Sequence, residues 1–184
     1  MVTSEIKHDR ITATLLFIGL LVFSLATQAK PIAENKIVPN ITFNDIKGDK
    51  HQLFEYRGKW LFLNFWAGYC SICQKEAPTL IRFQRNNKDN VTVLGINYGG
   101  ESKAKIKEAM KRNKYNYLIV PDQNSITKIF SDVVATPTTI IISPQGRLIK
   151  KAVGQQSYQE LSAYFNTYKR THEVRIWDIN QSDN

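Results

Sequence analysis

Beyond residue 40 the apolar positions follow two periods, one of strands and one of helices. Ile41–Phe43 and His51–Phe54 flank the turn-rich run Asp45-Ile46-Lys47-Gly48-Asp49 and predict a hairpin. Trp60–Trp66 (WLFLNFW) is apolar except at Asn64, the pattern of a strand buried on both faces. A helix follows from Cys70 to roughly Arg85, with apolar Ile72, Ala77, Leu80, Ile81 and Phe83. Pro78 lies inside it and removes the amide that would bond Gln74. Val91–Asn97 is the next strand, so strand, helix and strand make a right-handed crossover. Ser102–Asn113 reads as a lysine-rich helix with Ile106, Ala109 and Met110 on one face. Tyr117–Val120 is a short strand, 124–130 a short helix, and Thr138–Ile142 a β-branched strand. Ser143-Pro144-Gln145-Gly146 fits a type I turn leading back through an antiparallel Arg147–Val153. Ser157 and Glu160 form a capping box ahead of Leu161, Tyr164, Phe165 and Tyr168 at helical spacing. The pattern as a whole is that of an α/β domain with a central mixed sheet flanked by helices.

The ends of the chain read differently. Lys7 and Arg10 precede the apolar stretch Ile11–Ala26, and Thr27-Gln28-Ala29 offers a small-x-small cleavage pattern. Residues 1–29 are thus expected to be a signal peptide or an N-terminal membrane anchor, and both place the domain outside the cytoplasmic membrane. Residues 30–40, with two prolines and no periodicity, are expected as a linker, 41–169 as the domain and 170–184 as a tail.

The net charge of +9 comes from 25 basic and 16 acidic residues. The charges are spread rather than blocked, which reads as a solvated lysine-rich surface and gives no reason to expect a nucleic-acid partner.

Only two cysteines occur, and they sit three positions apart in Trp66-Ala67-Gly68-Tyr69-Cys70-Ser71-Ile72-Cys73. The motif falls where a buried strand ends and a helix begins. Free amides and the partial positive charge of a helix N-terminus stabilise a thiolate there, which makes Cys70 the expected attacking thiol. Cys73, one turn along the same face, is within reach to resolve a mixed disulfide. A closed zinc site wants four ligands, and the chain adds only His8, His51 and His172, so no metal site is expected. Gln74 stands where covalent haem attachment would need histidine. A bridge across so short a loop would constrain the unfolded chain little. Redox exchange by a Cys70–Cys73 disulfide, with no other cofactor, is the expected chemistry.

The segment Leu63–Pro78 (LNFWAGYCSICQKEAP) resembles the active-site segment of thioredoxin-like proteins. Within them it is similar to the exported, often membrane-tethered oxidoreductases of the TlpA/ResA/CcmG type. The lead-in Tyr56-Arg57-Gly58-Lys59-Trp60 and the loop Val133-Val134-Ala135-Thr136-Pro137-Thr138-Thr139 carry the likeness over roughly 38–169. The resemblance implies a thioredoxin-like fold with an N-terminal β-hairpin extension. It implies a cis Pro137 facing the thiols, with the Thr136 backbone free to pair with a substrate segment. It also implies a buried glutamate near the thiols, for which Glu101 in Gly95–Ser102 is the candidate proton carrier. Peroxiredoxins share the general fold but set their cysteine in another context. Asn64 stands where cytoplasmic thioredoxins carry a buried aspartate, and Ile72 where many relatives have proline. Together with Trp66 and Tyr69, Ile72 makes an apolar rim expected to bind substrate.

The function implied is an exported dithiol reductase. Its partners would be client proteins with cysteine pairs, such as cytochrome c precursors or copper-site proteins, and a membrane electron donor of the DsbD/CcdA type. The alternatives are a disulfide oxidant or isomerase and a non-enzymatic soft-metal chaperone for copper, the latter weakened by the scarcity of methionine.

Overall fold

A computed structural model describes residues 32–121 and 124–166. The expected targeting segment 1–29 and tail 170–184 lie outside the described residues. β1 (Thr42–Asn44) and β2 (Lys50–Gln52) pair antiparallel as a separate two-stranded sheet, the expected hairpin. The second arm is shorter than its apolar pattern suggested, because Leu53–Tyr56 winds into a 3-10 turn. That turn buries Leu53 and leads to Gly58, whose φ of 86° suits glycine.

The main sheet contains β3 (Trp60–Trp66), β4 (Val91–Asn97), β5 (Leu118–Val120), β6 (Thr138–Ile142) and β7 (Leu148–Val153). Their order is β5-β4-β3-β6-β7, with β3, β4 and β5 parallel and the β6 and β7 pairings antiparallel. The helices are α1 (Ser71–Asn86), α2 (Lys103–Asn113) and α3 (Asn124–Ile129), with further helix over 158–166. This is a thioredoxin-like fold.

Alternation along β3 sets the two faces. Leu61, Leu63 and Phe65 join one core with Phe43, Leu53, Ile126 and Phe130. Trp60, Phe62 and Trp66 join the other with Leu80 and Phe83 of α1, Ile106 and Ala109 of α2, and Leu161. The strand period of two therefore turns Asn64 toward the α1 face. Phe62 and Phe83 meet edge to face with centroids 5.0 Å apart, and burial of each such ring stabilises the fold by about 1.5–3 kcal/mol.

Residues 35–38 differ from the linker expected at 30–40. Val38 is buried, Val38 N donates to Gly146 O at 2.9 Å, and Ile37 bridges Arg147 antiparallel. The run carries apolar Ile37 and Val38 beside a sheet edge, and an edge offers unpaired backbone groups. The turn after β6 has Gly146 N on Ser143 O at 2.8 Å. The capping box is formed, with Ser157 N on Glu160 Oε2 at 2.7 Å and Glu160 N on Ser157 Oγ at 3.2 Å.

Candidate active site at the start of the first long helix

β3 ends at Trp66, and four residues carry the chain to α1. Cys70 N donates to Ala67 O at 3.1 Å, closing a turn that aims Cys70 at the helix end. Cys70 is the N-cap of α1, and its sulfur accepts the Cys73 amide at 3.1 Å. One of the helix's free N–H groups is thus satisfied by the sulfur itself. Cys70 and Cys73 are joined as a disulfide, with Cα atoms 5.3 Å apart. Cys73 is 2% exposed, whereas Cys70 is partly open to solvent. Attack from outside therefore reaches Cys70 first.

The loop before β6 comes to the same place. The Thr136–Pro137 peptide is cis, and Thr136 O lies 3.8 Å from Cys70 Sγ. In the disulfide this is a contact only; a reduced Cys70 thiol has a hydrogen to donate there. The loop is pinned by Tyr98 Oη on Val133 O at 3.0 Å, Thr138 Oγ1 on Ala135 O at 2.8 Å and Gly154 N on Pro137 O at 2.8 Å. Three apolar side chains stand out around the disulfide segments: Tyr69 is 72% exposed, Ile72 48% and Val134 88%. Trp66, grouped with this rim in the sequence reading, is instead buried against Tyr115, with ring centroids 5.0 Å apart. As the last residue of a fully buried strand it lies within the core layer, beneath the surface.

The two glutamates near this site have different surroundings. Glu101 Oε2 accepts Gly68 N at 2.6 Å and Asn97 Nδ2 at 2.8 Å, in a partly exposed position beside an open groove between the Gly68–Tyr69 turn and α2. Glu76, which the sequence reading passed over, is 0% exposed. Its Oε2 accepts Asn64 Nδ2 at 3.0 Å and its Oε1 accepts Gln156 N at 2.8 Å. Asn64 also donates to Thr139 Oγ1 at 3.2 Å. Burial pushes the Glu76 carboxyl up to about 7, against the pull of the Gln156 and Asn64 hydrogen bonds. Among the described residues it has no cationic partner. The signal was in the spacing: Cys73, Glu76, Ala77, Leu80 and Phe83 make up the buried face of α1, so a carboxylate occupies an inward position. Burial also pushes the phenols of Tyr115 and Tyr117 upward, and the Glu76 carboxylate adds to both. Among the described residues no three His, Cys, Asp or Glu side chains converge as a metal site.

The chain is similar to known proteins in sequence and in fold. The model of the AhpC/TSA family matches residues 35–151. The thiol-disulfide oxidoreductase ResA of Bacillus subtilis is 31% identical over 139 residues, covering 75% of this chain and 77% of ResA. The thioredoxin domain of a thiol-disulfide oxidoreductase from Bacteroides vulgatus superposes with a TM-score of 0.61 at 25% identity, covering 76% of this chain and 98% of that domain. The structure described as a putative thiol:disulfide interchange protein DsbE from Chlorobium tepidum superposes with a TM-score of 0.66 at 18% identity, over 74% of this chain and 97% of its own, a likeness of fold.

Proposed function

This chain belongs to the AhpC/TSA family of thioredoxin-like proteins and is a thiol–disulfide oxidoreductase, and on that premise we propose that it serves outside the cytoplasmic membrane as a reductase of client protein disulfides. In the reduced protein the Cys70 thiolate attacks one sulfur of a client disulfide. The client S–S bond breaks as a Cys70–client bond forms, and the freed client sulfur takes up a proton. Cys73, deprotonated in turn, attacks Cys70 Sγ. The Cys70–Cys73 bond forms, the mixed disulfide breaks, and the second client thiol leaves. Two electrons pass to the client, and a membrane-bound dithiol donor of the DsbD/CcdA type returns them. In this reading Glu76 is the proton carrier. One helical turn beyond Cys73 on the same buried face, it accepts the Cys73 proton and gives it back on re-reduction. The apolar side chains of Tyr69, Ile72 and Val134 and the backbone of Thr136 receive the client segment.

The observation that carries the reducing direction is Glu76 itself. A strong oxidant owes its potential to a stabilised thiolate in its reduced form. A buried carboxylate near neutrality, without a cation, does the opposite to a thiolate beside it. The potential therefore falls nearer to that of thioredoxin, about −270 mV, than to that of DsbA, about −120 mV. Export is supported by the basic flank and apolar run of residues 7–26.

Replacing Cys73 with Ala tests the reading most directly. The variant should attack but not release, so clients accumulate as adducts that run high on non-reducing gels and vanish with reductant; Cys70→Ala should trap nothing. Adducts are expected from the exported compartment, with cytochrome c precursors or copper-site proteins among them. If neither variant traps anything while the reduced protein binds copper(I) tightly and reduces no insulin, the chaperone reading replaces this one.

A further inference from the structure

Gly68 is the second residue of the turn that delivers Cys70 to α1, and it is buried. Both of its backbone polar groups are held by side chains from elsewhere. Its N–H donates to Glu101 Oε2 at 2.6 Å. Its carbonyl accepts Gln74 Nε2 at 2.8 Å and Arg112 Nη2 at 3.1 Å. Glu101 is itself held by Asn97 Nδ2 at 2.8 Å. The turn closes through Cys70 N on Ala67 O without any of these side chains. Groups from α1, from α2 and from the loop before α2 nevertheless converge on this one residue. A Cβ at Gly68 would meet Glu101 Oε1 at 2.6 Å, Glu101 Oε2 at 3.2 Å and Ala109 Cβ at 3.3 Å. A side chain at residue 68 would therefore displace the Glu101 carboxylate.

We propose that Glu101, Gln74 and Arg112 are positioning residues that clamp Gly68 and so hold Cys70 Sγ on the Cys73 amide, and that Glu101 works in this clamp as a hydrogen-bond acceptor rather than as a proton carrier. The inference rests on the oxidoreductase reading of Cys70 and refines it. An N–H···S hydrogen bond weakens steeply with misalignment. A Gly68 unit free to swing would turn Tyr69 and Cys70 off the helix end, and the thiolate would lose the amide that stabilises it. The clamp brings one cation and one anion to the same residue, so its effect on the sulfur is chiefly geometric. Arg112 is exposed, so its end of the clamp can be removed without touching the core.

The test uses the reduced chain with Cys73→Ala, where Cys70 is the single thiol, and follows its alkylation by iodoacetamide from pH 5 to 10. Glu101→Ala and Arg112→Ala should each slow the reaction at pH 7 by roughly tenfold, the order expected for losing a charge-assisted hydrogen bond, and move the pH midpoint upward. Glu101→Gln keeps an acceptor oxygen for both donors, and it should recover the rate to within about threefold with the midpoint near its original place. Gly68→Ala should reproduce the loss on its own but add little to Glu101→Ala, since its two nearest contacts are gone and only the 3.3 Å approach to Ala109 Cβ remains. Arg112→Ala keeps the test decisive if Glu101→Ala folds poorly. A Glu101→Gln variant as slow as Glu101→Ala would overturn the proposal in favour of a titrating role. Independent, additive losses from Gly68→Ala and Glu101→Ala would overturn it as well. Alkylation needs no client, so variants that behave as expected in a protein that reduces no disulfide would sink the reductase reading and leave the clamp standing.

Discussion

Glu76 accepts the side-chain amide of Asn64 and one backbone N–H, that of Gln156. Glu101 accepts the side-chain amide of Asn97 and one backbone N–H, that of Gly68. The donor sets are the same in kind, and each asparagine is a buried residue of a central strand. What differs is water. Glu76 is sealed between α1 and the sheet at 0% exposure, and burial lifts its carboxyl to about 7. Glu101 stands at the wall of an open groove. Desolvation lifts the Glu76 carboxyl into the neutral range, whereas the groove leaves the Glu101 carboxyl open to water. The hydrogen bonds alone would not have told them apart.

The sharpest way to break the comparison is a second acid beside the sealed one. Asn64→Asp replaces the amide 3.0 Å from Glu76 Oε2 with a carboxylate. Two buried carboxylates at that distance share one proton, and full ionisation leaves an uncompensated charge. At pH 8 the variant should lose roughly 3–5 kcal/mol of stability, and most of this should return at pH 5. Urea denaturation at the two pH values measures it. An equal loss at both would mean that only a hydrogen bond had been removed.

A smaller, opposite effect follows from Glu76→Gln. The folded-state pKa is raised from 4.5 to about 7, so between these values the folded protein holds a proton that the unfolded chain has released. Stability from this group is full below pH 4.5, falls as pH rises to about 7, and is level above. With each unit worth about 1.4 kcal/mol, the fall is about 3 kcal/mol. Glu76→Gln should abolish that fall and leave the variant up to about 3 kcal/mol more stable above pH 7. Disulfide exchange should slow by roughly a hundredfold in the same variant, the low end for loss of a general base. A variant that gains stability but keeps its exchange rate would return Glu76 to a structural role.

The strands were legible because their residues meet the core on both sides. Trp60–Trp66, Val91–Asn97 and Thr138–Ile142 stand at the bounds their apolar runs suggest. Edges were harder to read. Leu53 looked like strand but opens a 3-10 turn, and residues 35–38 looked like linker but lie against the start of β7. The prolines and lysines around it hid a buried Val38. The cysteine pair and the loop at Pro137 could be read from local sequence. Glu76 is legible in the same way, since it falls on the 73-77-80-83 face of the helix. Its second donor could not have been found, since Gln156 N comes from 80 residues away. The clamp at Gly68 likewise depends on Arg112, 44 residues further on, where a lysine-rich helix gave no reason to single out one cation.

The gentlest probe of the comparison lies on the Glu101 side. Asn97 is wholly buried, its Nδ2 holds Glu101, and its Oδ1 has no hydrogen-bond partner among the described residues. Asn97→Ala therefore removes one good hydrogen bond and one unpaired acceptor together. The two effects oppose each other, because an orphaned buried oxygen is itself destabilising. The net loss of stability should be only about 1 kcal/mol, and it should be the same at pH 5 and pH 8, unlike the Asn64→Asp loss. Glu101 keeps Gly68 N as a partner, so the clamp is loosened rather than opened. Alkylation of Cys70 should slow by roughly twofold to threefold, less than in Glu101→Ala, as befits a partner held one step from the turn. If Asn97→Ala slows alkylation as much as Glu101→Ala does, the asparagine and not the glycine amide fixes the carboxylate, and the resemblance between the two sites ends at their donor lists.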